Sequence, residues 1–365
     1  LKQGLQKNGF EVVLLSTGDG FKNFDSDILI KSSLFENKFL KVIAKLIDRL
    51  IGVSLNEIEI FIKAVFKINK LKGFDVVQLI NERAFGTSPR MEKTLLKYIF
   101  KNNKKVFLLA CGVDTVSIKY ASEKKFRYSI LSPYFENKNL KKEFKHTIKY
   151  LNSNYLMLGE YVRYNIKGII SSDLDYHIPY ENLNKYLGMI PNPINIDKLK
   201  KSEVNEKNKI FILHAINSKN KIKKGNEFFE KSLILIEEKY KNKIKIIKTT
   251  DIPYSEHIIN VNECDILLDQ VYAYDQGYNA LEAMALGKVV FTGAEKEWVK
   301  FYNVKEDSVA INALPDISKL VEKLSWLIEN PKQIKRISKN ARKFIEENHD
   351  YKNIAKKYLK TWEIQ

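Results

Sequence analysis

The sequence predicts an α/β protein of two doubly wound, Rossmann-like domains with a cleft between them. Three observations predict it. Apolar runs of four to six residues alternate with stretches of helical periodicity, the pattern of parallel sheets covered on both faces. A chain of 365 residues suits two domains of ordinary size better than one. Near the middle, Ile190-Pro-Asn-Pro-Ile194 and the largely polar stretch Lys198–Lys209 interrupt the pattern, since two prolines prevent a helix from continuing.

Leu1–Phe10 reads as a helix already under way, leading into the strand Glu11–Leu15. A strand and its loop are therefore expected before Leu1. Within residues 1–192, strand signals fall at Val12–Leu15, Asp75–Ile80, Val106–Ala110, Tyr128–Leu131, Tyr155–Leu158 and Gly168–Ile170. Met91–Lys101 carries clear helical spacing. Leu34–Leu50 and Leu55–Leu71 have apolar residues at three and four spacing, with lysines on the other face. They read either as helices flanking the sheet or as a basic amphipathic element that touches an anionic membrane. Residues 193–208 form the linker.

The next domain, residues 209–347, opens with the strand Lys209–Ile216 and a polar loop. A helix follows over Asn226–Lys241, then a strand over Ile244–Lys248 and a helix over Tyr254–Glu263. An apolar run ending in acid, Asp265–Asp269, comes next. The strand Ser308–Ile311 and amphipathic helices over Asp316–Glu329 and Pro331–Glu347 complete the domain. Asp350–Trp362 is a last helix, with Ile354, Tyr358 and Trp362 at four-residue intervals.

The formal charge of +18 suggests nucleic acid, but composition argues against it. Only seven of the 62 basic residues are Arg, and the lysines are scattered rather than clustered. Readers of bases and phosphates rely on Arg forks and concentrated patches. No nucleic-acid partner is expected. Cys111 and Cys264 make neither a disulfide framework nor a metal-ligand spacing and read as buried thiols. The five histidines show no paired spacing, and His214 reads as a satisfied core residue. No metal and no cofactor are expected. No run of about 18 apolar residues is present. A cytosolic setting fits, with the inner face of the cell membrane as a place of contact.

The most informative stretch is Tyr274–Val290. It reads as a loop with Gly277, a helix starting near Tyr278, a turn at Gly287 and a strand. In open α/β sheets, ligands bind outside the carboxyl ends of strands, and helix N-termini there offer free N–H groups to phosphate. Glu282 sits one turn into the helix and can reach back to its start. A carboxylate there suits a sugar hydroxyl. The loop Asn217-Ser-Lys-Asn-Lys-Ile-Lys-Lys224-Gly225 joins a strand to a helix, and its cations at a helix start make an anion site. The alternative is a solvated lysine loop.

Ala280-Leu-Glu282-Ala-Met-Ala-Leu-Gly287 resembles the donor-site segment of GT-B glycosyltransferases, particularly the retaining family 4 type. The usual pattern is Glu, seven residues, then Glu followed by Ala-Met-Ala-x-Gly; the second Glu matches Glu282. The first falls at Tyr274, a departure, and Asp275 is the nearest acid. Lys224-Gly225 resembles the Lys-Gly pair of the family's diphosphate clamp, whereas its Arg position is Ser218. The resemblance implies a nucleotide-sugar donor gripped by Asn217, Ser218, Lys224, Gly225, Tyr274, Asp275, Gly277, Tyr278, Asn279 and Glu282. It also implies a glycan or lipid-linked acceptor, and a C-terminal helix (348–365) crossing back to the first domain. Many relatives carry a cleft His after the strand that here ends in Ala110-Cys111. Asp114 is the nearest ionisable residue, either a catalytic group or a helix N-cap. Asp19, in Ser16-Thr-Gly-Asp-Gly20, resembles an acceptor-side loop, although turn chemistry explains it too. The other classes are a GT-B-like protein that binds without turnover and a nucleotide-sugar epimerase. The epimerase needs a carboxylate and His cluster that the sequence does not show.

Overall fold

The computed structural model describes residues 1–18, 25–33, 42, 54–199 and 208–363. Asp19, most of the helix read over Leu34–Leu50 and linker residues 200–207 lie outside them.

The first domain is built on a four-stranded parallel sheet. Its strands, in spatial order, are β3 (Val76–Ile80), β4 (Lys105–Ala110), β5 (Gly168–Ser171) and β6 (Tyr186–Met189). A short parallel pair, β1 (Leu15–Ser16) with β2 (Ile28–Leu29), stands beside it. The second domain holds a five-stranded parallel sheet. It comprises β7 (Ile210–Ile216), β8 (Ile244–Thr250), β9 (Ile266–Leu268), β10 (Val289–Thr292) and β11 (Ile311–Asn312), in the order β11-β10-β9-β7-β8. The switch in strand order at β7 and β9 opens a crevice at their carboxyl ends, as doubly wound sheets do. β5, β9 and β10 are buried along their whole length, as central parallel strands must be.

Three element readings differ from the structure. Tyr155–Leu158 belongs to the helix Ser153–Asn165, whose Leu158 and Val162 face the core one turn apart. A four-residue apolar run does not distinguish a strand from a buried helix turn. Tyr128–Leu131 is a turn region in which the Ser129 amide donates to the Ser132 hydroxyl at 2.9 Å. β6 escaped notice because Tyr-Leu-Gly-Met is short and contains Gly188.

Local rules place the remaining elements. Asp316 caps the helix Ile317–Glu329 by accepting from the Lys319 amide at 3.1 Å. Pro331 starts the helix Pro331–Asn348 at a position that needs no N–H donor. Gly287, at φ +75°, ends the helix Tyr278–Ala285 and turns the chain into β10. The last helix, Tyr351–Glu363, lies against the first domain. Ile354, Ala355, Tyr358 and Trp362 pack with Leu5, Phe107, Ile170 and Ile190. Trp362 Nε1 also donates to Gln78 Oε1 at 3.2 Å. Where the chain recrosses between domains, the Ile194 amide donates to the His349 carbonyl and the Tyr351 amide donates to that of Ile194.

One core cluster runs through both domains. It joins Leu174 and the half-buried Phe126, Tyr128 and Ile178 of the first to Tyr274, Leu281 and Trp298 of the second.

Candidate donor site

The site forms where β7, β9 and the loop before β10 end. Asn220 and Lys221–Lys224 make a single helical turn. Gly225 closes it at φ +68° and opens the helix Asn226–Tyr240. A Cβ on Gly225 would lie 2.3 Å from Val271 Cγ2, so both the backbone angle and the space require glycine. This turn delivers Lys224, whose Nζ lies 2.7 Å from Asp269 Oδ1 at the end of β9. Asn279, in the first turn of the helix Tyr278–Ala285, donates to the same oxygen at 2.8 Å. Its carbonyl faces His257 Nε2 at 2.7 Å. Glu282, one turn further, accepts from the Tyr254 hydroxyl at 3.3 Å.

Lys224 and Glu282 therefore stand around one centre. Burial lowers the His257 pKa; the Asn279 hydrogen bond and the charges of Glu282 and Asp269 oppose this, and Lys224 adds to it. Both predicted donor residues thus act on a single imidazole. Burial raises the Tyr254 hydroxyl to about 12, with the Glu282 charge adding to it. A Cβ on Gly277, the N-cap of this helix, would meet nothing within 4 Å, so the helix start faces open space. Its first amides lack intrahelical acceptors and are suited to an anion. Tyr278 is exposed on this edge. Burial of its hydroxyl raises the pKa there, with the charges of Glu282 and of Asp173 in the first domain adding to the effect.

The other predicted residues have different surroundings. Asn217 and Ser218 are exposed. The Asn217 side chain accepts from the Lys219 amide at 3.1 Å, and the Ser218 amide donates to Asp251 at 2.9 Å. Lys221 pairs with Glu230 at 3.0 Å. Tyr274 is buried in the domain contact. Its ring lies 4.9 Å from that of Phe126 and 4.7 Å from the Arg127 guanidinium, and its hydroxyl accepts from the Arg127 amide at 2.8 Å.

Asp275 is buried too, accepting from the Leu174 amide of the first domain at 3.0 Å. Asp175 returns the bond, accepting from the Tyr274 and Asp275 amides at 3.1–3.2 Å. The sequence reading missed Asp173 and Asp175. A signal was present, because Ser171-Ser172-Asp173-Leu-Asp175 lies at a strand's carboxyl end and starts a helix. Between the domains lies a cavity of about 220 Å³, lined by Gly112, Phe126, Asp173, Asp175, Asp275 and Gly277 among others. Burial raises Asp275 to about 7, Asp173 adding to the effect, and raises Asp173 itself to about 6.

Asp114 is buried and caps the helix Thr115–Ser122, accepting from the Ser117 amide at 2.7 Å. Burial, then the charge of Glu82, raises its carboxyl to about 7. Cys264 is buried, as read, whereas Cys111 is only partly so. His214 is a core residue, as read; burial lowers its pKa to about 4, and a hydrogen bond with the Leu268 backbone is among the effects that oppose this. Among the described residues no group of three or more His, Cys, Asp or Glu side chains is arranged to hold a metal ion.

Residues 210–360 match a protein-family model described as glycosyl transferase-like. No curated protein matches the chain in sequence. Solved structures do match in fold. Sucrose-phosphate synthase from Thermosynechococcus elongatus aligns with a TM-score of 0.56 at 15% identity, over 84% of this chain and 78% of that one. The Anabaena protein HepE, solved with UDP-glucose, aligns at 0.55 and 12% identity over 83% and 82%. TarM of S. aureus aligns at 0.54 and 11% identity over 83% of this chain, which spans 58% of TarM. At such identities the likeness is one of fold. Residues 210–360 match a glycosyl transferase-like domain, and the chain has the GT-B fold, two Rossmann-like domains.

Proposed function

We propose that the protein transfers a sugar from a nucleoside diphosphate sugar to a glycan or lipid-linked acceptor of the cell envelope, with retention at the anomeric carbon and without a metal. One observation carries the reading. Lys224 and Glu282, far apart in sequence, are tied to one helix beside the open start of the helix Tyr278–Ala285, Lys224 through Asp269, Asn279 and His257 and Glu282 through Tyr254. Glu282 accepts from the ribose, while Lys224 and the helix amides hold the diphosphate. As the bond from the anomeric carbon to the phosphate oxygen breaks, these groups stabilise the negative charge that collects on the leaving diphosphate. The acceptor hydroxyl oxygen forms the new bond to the anomeric carbon and gives its proton to the leaving diphosphate oxygen.

The sugar occupies the interdomain cavity. Three carboxylates line it and, among the described residues, no Lys or Arg does, which favours a neutral sugar over an anionic one. Retention follows from the resemblance to family 4. HepE was solved in complex with UDP-glucose and TarM in complex with UDP, which supports a nucleotide-sugar donor.

On the helix Leu55–Lys67, Ile62, Val65 and Phe66 are exposed, with Lys70 and Lys72 beyond them. This face supports contact with an anionic membrane on the cytosolic side. Among the described residues no helix is long and apolar enough to cross a membrane.

Isothermal titration of the full chain with UDP and GDP tests the donor site. One of them binds, and K224A and E282A each weaken it about tenfold, a change of about 1.4 kcal/mol. No binding of either nucleotide defeats the reading. Transfer in excess EDTA tests independence from metal. A second reading, binding without turnover, is favoured by Tyr274, whose hydroxyl is already taken by the Arg127 amide. Nucleotide binding with no sugar transfer across a donor panel would establish it.

A further inference from the structure

We propose that the helix Tyr254–Glu263 is the positioning element of the donor site, fixing its cation and its carboxylate in one register through two hydrogen-bonded arms. The inference rests on the nucleotide-sugar reading above and extends it to Tyr254, His257 and Asp269.

The first arm runs from His257 to Asn279, Asp269 and Lys224, over contacts of 2.7, 2.8 and 2.7 Å. Its direction is fixed by chemistry. Asp269, as the ion-pair partner of Lys224, can only accept. The Asn279 amide nitrogen must therefore face Asp269, which turns the amide oxygen toward His257. That oxygen also only accepts, so His257 is the donor through Nε2–H. Burial lowers the His257 pKa, and the neutral ring in this tautomer supplies that donor. The far oxygen of Asp269 accepts from the Thr292 hydroxyl at 3.3 Å. With its side chain 1% exposed, Asp269 cannot turn elsewhere.

The second arm starts from the same helix. Tyr254 lies three residues before His257, so both side chains leave one face. Their ring centroids are 6.5 Å apart. The Tyr254 hydroxyl donates to Glu282. One rigid helix thus holds the group assigned to the ribose and, through two intermediaries, the group assigned to the diphosphate. An ammonium on a flexible stem has three donors. Asp269 takes one and holds the stem, and the others are left for phosphate oxygens. Restraint before binding lowers the ordering cost of binding.

Electrostatics and positioning predict opposite signs at Asp269. Replacing this carboxylate with an amide removes a negative charge from beside the diphosphate, so charge alone would tighten UDP. Loss of positioning weakens it. The experiment is titration of the full chain with UDP or GDP, whichever binds, and with the matching monophosphate. D269N and H257L are expected to weaken the diphosphate about tenfold and the monophosphate less than about threefold. H257Q, which keeps an N–H donor, restores most of the loss. The double variant K224A/D269N binds no more weakly than K224A, because both act through one ammonium. Y254F weakens the mono- and diphosphate equally, since ribose is common to both.

Thermal unfolding checks that each variant is folded. If D269N does not fold, H257L against H257Q carries the test alone. Diphosphate binding by D269N as tight as the wild type or tighter overturns the inference, as do equal losses of mono- and diphosphate binding in D269N and H257L. A wild-type chain that binds neither UDP nor GDP overturns the nucleotide-sugar reading itself. Binding that K224A weakens while D269N and H257L leave it unchanged overturns only the positioning helix.

Discussion

At residue 225 two requirements coincide. The backbone is left-handed, and a side chain would strike Val271. G225A is therefore expected to cost about 2–4 kcal/mol, combining a strained angle with overpacking. The midpoint of urea unfolding measures it, and nucleotide binding should fall as well, because Gly225 sets the turn that carries Lys224.

Asp275 makes a prediction about pH. Its folded pKa is about 7, raised by burial and then by Asp173, against about 3.9 for an unfolded Asp. The folded state binds the proton more tightly. Its contribution to stability is full below about pH 4 and is lost as pH rises through about 7. His349, lowered by burial to about 4, runs the other way: its contribution is present above about 6.5 and lost as pH falls through about 4. Comparing D275N with the wild type at each pH removes the His349 part. The difference should move in favour of D275N between pH 4 and 8 by on the order of a few kcal/mol. A constant difference would refute the shift. At this scale the sequence places Lys224 in the loop after β7 and Asn279 and Glu282 at one helix start, because the Lys-Gly and Glu-Ala-Met-Ala motifs are local. Sequence reading could not find His257, whose hydrogen-bond partner Asn279 lies 22 residues away.

At the scale of elements, the first and last helices lock together. A Cβ on Gly4 would fall 2.3 Å from the Tyr351 carbonyl and 2.9 Å from Ala355 Cβ. G4A forces Lys2–Lys7 away from Tyr351–Glu363 and should lower stability by about 1–3 kcal/mol, read from the unfolding midpoint. Y358A removes a fully buried ring from the same contact and should cost about 3–5 kcal/mol. Periodicity found the last helix because an amphipathic stripe of this length is unambiguous. It misassigned Tyr155–Leu158 because four apolar residues carry no period, whereas in the structure Leu158 joins the core that Leu95 and Leu96 of another helix share.

For the whole molecule, the domains are fastened beside the cavity. Arg127 of the first domain pairs with Glu295 at 2.5 Å and Glu297 at 2.6 Å in the second, and Tyr128 also donates to Glu295. The Asp175 and Asp275 carboxylates each accept backbone amides from across the boundary. R127A leaves the buried Glu295 without its cation. Because Arg127 is itself 40% exposed, the expected loss is about 1–2 kcal/mol rather than that of a fully buried pair. Small-angle scattering should show a larger radius of gyration for R127A, while R127K, which lacks the planar fork, falls between. An unchanged radius would show that the apolar contact of Phe126, Tyr128 and Tyr274 suffices.

The sequence by itself determined the fold class and which loop and helix carry the cation and the acid. Those properties follow from apolar period, Gly and Pro placement, and charge within short windows. The tertiary structure alone decided that Tyr274 is an interdomain strut, that Asp173, Asp175 and Asp275 share one cavity, and that Lys224 is held by Asp269. Each depends on which groups become neighbours once two sheets pack, and on the loss of water that makes a buried carboxylate need a partner. No local window of residues contains that information.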